Sequence, residues 1–235
     1  MTRIATLTTG ISFVLLGSLI LGWNAIANFL GLPAPALWRL WPLLPAGVGL
    51  ILLAPPLLSR REPALGALFI AGLPMLAIGG IGLLSNIVGP GFAWSAFWPQ
   101  ILVAFGLGLG LAARWLRSAW LILPALFFGL LGAALQFTAL TGWWGAWAVL
   151  WAVVPFSLGL GLAGIGWLRR STGLRAAGLL VCALAAILAL FVGAIITGQW
   201  LLINFAAAVA LIGAGAALAG WGLLKGRPEA MSANQ

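Results

Sequence analysis

The chain has 235 residues, 64% of them hydrophobic and 6% charged, with no His and no Tyr. A soluble domain carries about 25% charged residues, so a chain this apolar cannot clothe itself in polar surface, its solvent is largely lipid, and no stretch is left for a separate soluble domain. The formal net charge of +9 does not point to nucleic acid, because the cations are dispersed beside apolar spans in the positive-inside pattern and do not gather on one folded face.

Ten of the eleven basic residues fall into five clusters: Arg3; Arg60 and Arg61; Arg114 and Arg117; Arg169, Arg170 and Arg175; Lys225 and Arg227. Each apolar stretch between clusters is long enough to cross a bilayer twice, at about 20 residues per crossing. The clusters therefore predict one membrane face for all five. The fold class is all-α integral membrane, with eight transmembrane helices arranged as four tandem parallel-repeat hairpins. The boundaries are approximately 8–58, 63–113, 119–168 and 174–224, with 225–235 a cytoplasmic tail and the whole of 1–235 a single transmembrane domain. Both termini are expected to be cytoplasmic in a multi-pass plasma-membrane protein. The Ala25-Ile26-Ala27 stretch looks like a small-residue cleavage site. The apolar run is long, however, and matches the first helix of the later repeats, so an uncleaved first transmembrane helix is expected.

The hairpin turns are read at Gly31–Leu40, Val88–Ser95, Gly142–Trp147 and Gly198–Trp200. A polar residue closes each outgoing helix: Asn28, Asn86, Thr141 and Thr197, spaced 58, 55 and 56. A proline marks three return helices, Pro42, Pro99 and Pro155, spaced 57 and 56, the first two as Trp41-Pro42 and Trp98-Pro99. Proline suits the first turn of a helix, where its missing N–H has no partner to lose. All four hairpins run in one orientation, unlike the inverted repeats of many transporters.

Trp38, Trp41, Trp94, Trp98, Trp143, Trp144, Trp147, Trp151 and Trp200 lie at or near these outer turns, and Trp115, Trp120, Trp167 and Trp221 near the basic face. They form two aromatic belts. Trp38, Trp41, Trp94, Trp98, Trp143, Trp144, Trp147 and Trp200 are the expected interfacial anchors, with an outer surface for a lipid, carotenoid or partner helix as the alternative. Glycines recur in the return helices at Gly106, Gly108 and Gly110 and at Gly159, Gly161, Gly164 and Gly166. None is a phosphate loop, because each lies inside an apolar run without the Lys and Ser/Thr of that motif. Small residues let helix backbones approach closely in lipid, so Gly106, Gly108, Gly110, Gly159, Gly161 and Gly164 are the candidate helix-packing or partner-contact residues. Gly106 and Gly110, four apart, share a face.

The only acidic residues are Glu62 and Glu229, both beside basic clusters. Ion-coupled carriers usually keep an ionisable group inside the membrane, and a nucleophilic Ser or Cys182 would need a base. No enzyme activity, catalytic residue, metal or cofactor is expected. Asn24, Asn28, Gln100, Gln136, Gln199 and Asn204 are read as helix ends and interhelical hydrogen bonds. Arg39 is the one basic residue on the outer side.

The first hairpin contains GISFVLLGSLILG from Gly10, then Asn28, Leu30-Gly-Leu-Pro33, Leu40-Trp41-Pro42-Leu-Leu and Gly47-Val-Gly-Leu-Ile-Leu-Leu. The second contains Gly79-Gly-Ile-Gly-Leu-Leu-Ser-Asn86, Phe97-Trp98-Pro99 and Gly106-Leu-Gly108. Together they resemble the LiaI/LiaF-like transmembrane-repeat family of bacteria, and the helix–Trp-Pro–helix units are also similar to the HdeD-like membrane proteins. The first resemblance implies a non-enzymatic membrane protein, in some members a regulator of envelope-stress signalling that holds a sensor kinase. The expected role is contact with another membrane component, with anionic head groups at the cytoplasmic face and a membrane-protein partner or homo-oligomer. A hydrophobic subunit of an energy-converting or pigment complex and a small-molecule transporter or channel are the alternatives.

Overall fold

The structure is a computed structural model that describes residues 39–59, 62–198 and 200–225, together with single positions between 7 and 31. Nine helices follow one another among them: α1 (Leu43–Leu58), α2 (Leu68–Val88), α3 (Pro90–Phe97), α4 (Gln100–Trp115), α5 (Ile122–Thr141), α6 (Trp147–Leu150), α7 (Val153–Leu168), α8 (Thr172–Thr197) and α9 (Trp200–Lys225). Short 3-10 turns precede α2, α5 and α6, and no strand occurs among the described residues. Three helical stretches, Pro63–Val88, Ala119–Thr141 and Thr172–Thr197, are long and apolar enough to cross a membrane. The count is five if α3 with α4 (bent by 46°) and the Trp144–Leu150 segment with α7 (bent by 45°) each make one broken span. The eight-span expectation is finer than this: α1 has 16 residues, short of the roughly 20 a straight crossing needs, and most of residues 1–38 lie outside the described residues.

The helices stand in single file. Taking each bent pair as one unit, every substantial helix contact among the described residues joins units adjacent in sequence: α1 with α2, α2 with α4, α4 with α5, α5 with α7, α7 with α8, and α8 with α9. Neighbours run antiparallel. Along α1 and α2, Cβ atoms added at Gly82, Gly79 and Gly49 would meet Pro42, Ala46 and Leu76 respectively, while one at Gly72 would meet Leu53. The turns therefore alternate between two ends. At one end the chain reverses at glycine: Gly31, Gly89, Gly142 and Gly198 have φ of 59°, 92°, 69° and 67°. At the other it reverses at arginine, Arg117 and Arg170, with φ of 52° and 53°.

A local backbone pattern recurs three times. α1, α4 and α7 each have 16 residues. Each starts after a two-residue break at Trp41-Pro42, Trp98-Pro99 and Trp151-Ala152. Just past each break an i→i−3 bond replaces the α-helical one: Leu44, Ile101 and Val154 donate their N–H to the carbonyls of Trp41, Trp98 and Trp151, each at 3.1 Å. The third break is at Trp151-Ala152, and Pro155, the proline expected early in this return helix, lies within the first turn of α7. The shared element is the tryptophan and the tight turn, and proline is optional. Pro42, Pro99 and Ala152 have φ/ψ of −68°/−17°, −69°/−17° and −62°/−16°. Since alanine already adopts this geometry in the third break, Pro99→Ala should cost no more than about 1 kcal/mol, well under the roughly 3 kcal/mol scale of proline effects inside a helix. Thermal unfolding in detergent checks it.

Two expected loops are more ordered than their composition suggested. Val88–Ser95 is not an open turn: Gly89 alone separates α2 from α3, and Pro90–Phe97 is helical, with Pro90 in its first position. Gly142–Trp147 contains a 3-10 turn leading into α6. The packing also groups the helices differently from the expected hairpin boundaries. The most extensive antiparallel pairs, α1 with α2, α4 with α5 and α7 with α8, are joined across the basic turns and straddle the divisions at 58–63, 113–119 and 168–174.

Candidate functional site

The glycines decide how closely the helices approach. Gly49, Gly106 and Gly159 occupy the same place, seventh in α1, α4 and α7. A Cβ at Gly49 would stand 2.8 Å from the Gly72 carbonyl oxygen on α2; at Gly106, 2.5 Å from the Gly129 nitrogen on α5; at Gly159, 2.8 Å from the Gly178 carbonyl oxygen on α8. Each is thus pressed against the backbone of the following helix. Gly108 and Gly161, two residues further on, face the opposite way, against the backbone of α2 at Phe69 and of α5 at Leu123. Gly106, Gly108, Gly159 and Gly161 are thereby occupied within the chain. Gly110 and Gly164 are looser: a Cβ at Gly110 would meet only Ala125 at 3.9 Å, and one at Gly164 only Ile122 at 3.8 Å.

Side-chain amides mend the breaks. The Asn86 Nδ2 amide donates to the Arg39 carbonyl at 2.6 Å, and the Gln136 Nε2 amide donates to the Ala96 carbonyl at 2.7 Å. Arg39 and Ala96 each lie three residues before the helix-starting proline. A carbonyl exposed by a broken helix in lipid needs such a partner. Buried Ser85, Ser157 and Thr138 donate to carbonyls three residues back on their own helices, the local bonding open to short hydroxyl side chains.

The tryptophans at the glycine end are partly or largely exposed. Trp41 and Trp94 stack at 6.3 Å between centroids, and Trp143 meets Phe137 edge-on at 6.4 Å. Trp98, Trp143 and Trp144 are exposed and Trp147 half-buried, as suits side chains at an interface. Trp38 and the side chain of Trp200 lie outside the described residues, as do Asn24, Asn28, Gln199, Arg60, Arg61 and Glu229.

At the arginine end, sequence reading did not foresee a cavity. It has a volume of about 540 Å³ and is lined by Gly110, Ala113, Arg114, Arg117, Ala119, Ile122, Leu168 and Arg169. It forms where α4 and α7, the two neighbours of α5, finish on either side of the start of α5. The Arg169 guanidinium lies 5.1 Å from the Trp120 ring centroid, within range of a cation–π contact. Among the described residues no acidic side chain lines the cavity. At the end of α4 the Ser118 N–H donates to the Ala113 carbonyl, and at the end of α7 the Ser171 N–H donates to the Gly166 carbonyl. Both are the six-to-one bond of a helix cap whose left-handed residue is usually glycine. Here that residue is Arg117 or Arg170. A non-glycine residue in this conformation costs roughly 1–2 kcal/mol, so Arg170→Gly should raise stability by about 1 kcal/mol, read as an upward shift in Tm. A second, apolar cavity of about 360 Å³ lies between α8 and α9, lined by Leu184, Ile187, Leu188, Phe191, Ala207 and Ala210.

No group of three or more metal-ligating side chains occurs among the described residues. No family model, curated protein or solved structure matches the chain. What the structure defines is a class: an all-helical chain with three to five candidate membrane spans.

Proposed function

We propose that this is a non-catalytic, multi-pass plasma-membrane protein that works by helix–helix contact with another membrane component, the role implied by the LiaI/LiaF-like resemblance. The single-file arrangement carries the reading. In a compact bundle each helix is screened on several sides; here, among the described residues, a helix has two neighbours, and two broad flanks stay uncovered. Only 28%, 17% and 17% of the apolar stretches of the three long spans are buried. The uncovered flanks carry large aliphatic side chains, with Leu179 and Leu190 exposed on α8 away from the cavity it shares with α9. Gly106, Gly108, Gly159 and Gly161 are spent inside the chain, so partner contact falls to these aliphatic flanks. Photo-crosslinking from Leu179 and Leu190 in intact membranes tests this. A discrete crosslinked protein is expected, and crosslinks to lipid alone overturn the reading.

The proposed topology has eight spans in four tandem units, the glycine turns outside and the termini with the arginine turns inside. The ten-to-one distribution of basic residues supports it. Ala93 is fully buried, so the neighbouring exposed Ser95 is the reporter. In a Cys182→Ala background, Ser95→Cys should react with an impermeant maleimide added to intact cells, and labelling only after lysis contradicts the topology.

A further inference from the structure

We propose that the cavity between the ends of α4 and α7 binds the phosphate of an anionic phospholipid head group, held by Arg114, Arg117 and Arg169. Three guanidinium-bearing residues line one concavity and, among the described residues, no carboxylate does. All three are exposed, so the cavity is open to a ligand. The C-termini of α4 and α7 each bring about −0.5 of an elementary charge and the start of α5 about +0.5. Against three full positive charges, the site keeps a net charge of roughly +2.5. That excess suits the oxygens of one or two phosphates, which arginine engages through paired N–H donors. The stacking of Arg169 on Trp120 holds one donor in place. The rest of the lining is apolar, Gly110, Ala113, Ala119, Ile122 and Leu168. A phosphate joined to apolar chains matches this pairing of arginines with an apolar lining. The proposal rests on these helices crossing a membrane and needs no protein partner.

Native mass spectrometry of the full chain in mild detergent tests it, with phosphatidylglycerol, phosphatidylcholine or inorganic phosphate added. One phosphatidylglycerol should be retained about tenfold more strongly than phosphatidylcholine. Arg117→Gly removes a lining charge at a position whose left-handed backbone glycine accepts freely, so the fold is not threatened. It should weaken retention several-fold, and Arg114→Gln with Arg169→Gln should abolish the preference. Arg170→Gly makes the same backbone change outside the cavity and should leave retention unchanged. Equal retention of the two lipids, or equal losses from Arg117→Gly and Arg170→Gly, overturns the site. Binding of inorganic phosphate with no lipid preference overturns the lipid assignment. Should the chain leave the membrane fraction without detergent, the membrane reading itself fails, an outcome distinct from loss of lipid preference.

Discussion

Gly106→Leu is expected to be among the most destabilising single changes in α4. Even its Cβ would stand 2.5 Å from the Gly129 nitrogen and 2.8 Å from the Gly129 Cα and the Ala125 carbonyl oxygen. These are backbone atoms of an intact helix and cannot step aside by changing rotamer. The pair must separate, and with it goes much of the close packing that replaces the hydrophobic drive between helices in lipid. Overpacking usually costs about 1–3 kcal/mol and occasionally more; a backbone clash on this scale belongs at or above about 3 kcal/mol. Gly110→Ala, one turn along the same face, adds a methyl in ordinary contact with Ala125 and should change stability by less than about 1 kcal/mol. Unfolding of the two variants in detergent, followed by tryptophan fluorescence, separates them. Equal Tm values would mean that the α4–α5 contact does not hold the protein together.

Gly89→Ala should cost nearly as much for a different reason. No atom lies within 4 Å of where its Cβ would go, so space is not the issue. The backbone is at φ 92° and ψ 144°, close to a region essentially reserved for glycine, where another residue costs on the order of 1–3 kcal/mol. This one residue turns the chain from α2 into α3, so the strain cannot be spread along a loop. Gly142 and Gly198 sit near ordinary left-handed values, with φ/ψ of 69°/1° and 67°/17°. Asparagine tolerates that region, so Gly142→Asn should lose less than Gly89→Ala. A Gly89→Ala variant with an unchanged Tm would place the reversal elsewhere.

The candidate sites were legible to different degrees. The glycines were visible because small residues recurring in an apolar run have few other uses. Their direction was not. Gly106 and Gly108 read as one motif, yet two residues along a helix rotate the position by about 200°, and the structure turns one toward α5 and the other toward α2. Pro155 lies early in its return helix as expected, but the proline spacing did not show that Trp151-Ala152 carries the geometry of Trp41-Pro42 without a proline. Gln136 was read as an interhelical hydrogen bonder; that it reaches the Ala96 carbonyl beside Pro99 depends on the register of α5 against α3 and α4. The arginine cavity escaped sequence reading because Arg114, Arg117 and Arg169 come from the ends of two helices separated by the whole of α5.

Composition and charge spacing were enough to establish an all-helical, lipid-solvated chain whose basic residues gather at recurring turns. The cause is local: apolar runs that lie in lipid must satisfy their backbone within the segment, and cations cannot stay in the hydrocarbon. Only the tertiary structure decided the order of packing. Helices in lipid gain almost nothing from burying one more leucine, so hydrophobic periodicity does not say which faces meet. Close approach of glycine backbones decides instead, and it pairs α4 with α5 and α7 with α8 across the basic turns. That pairing sets the helices in single file and brings three arginines from distant turns around one cavity.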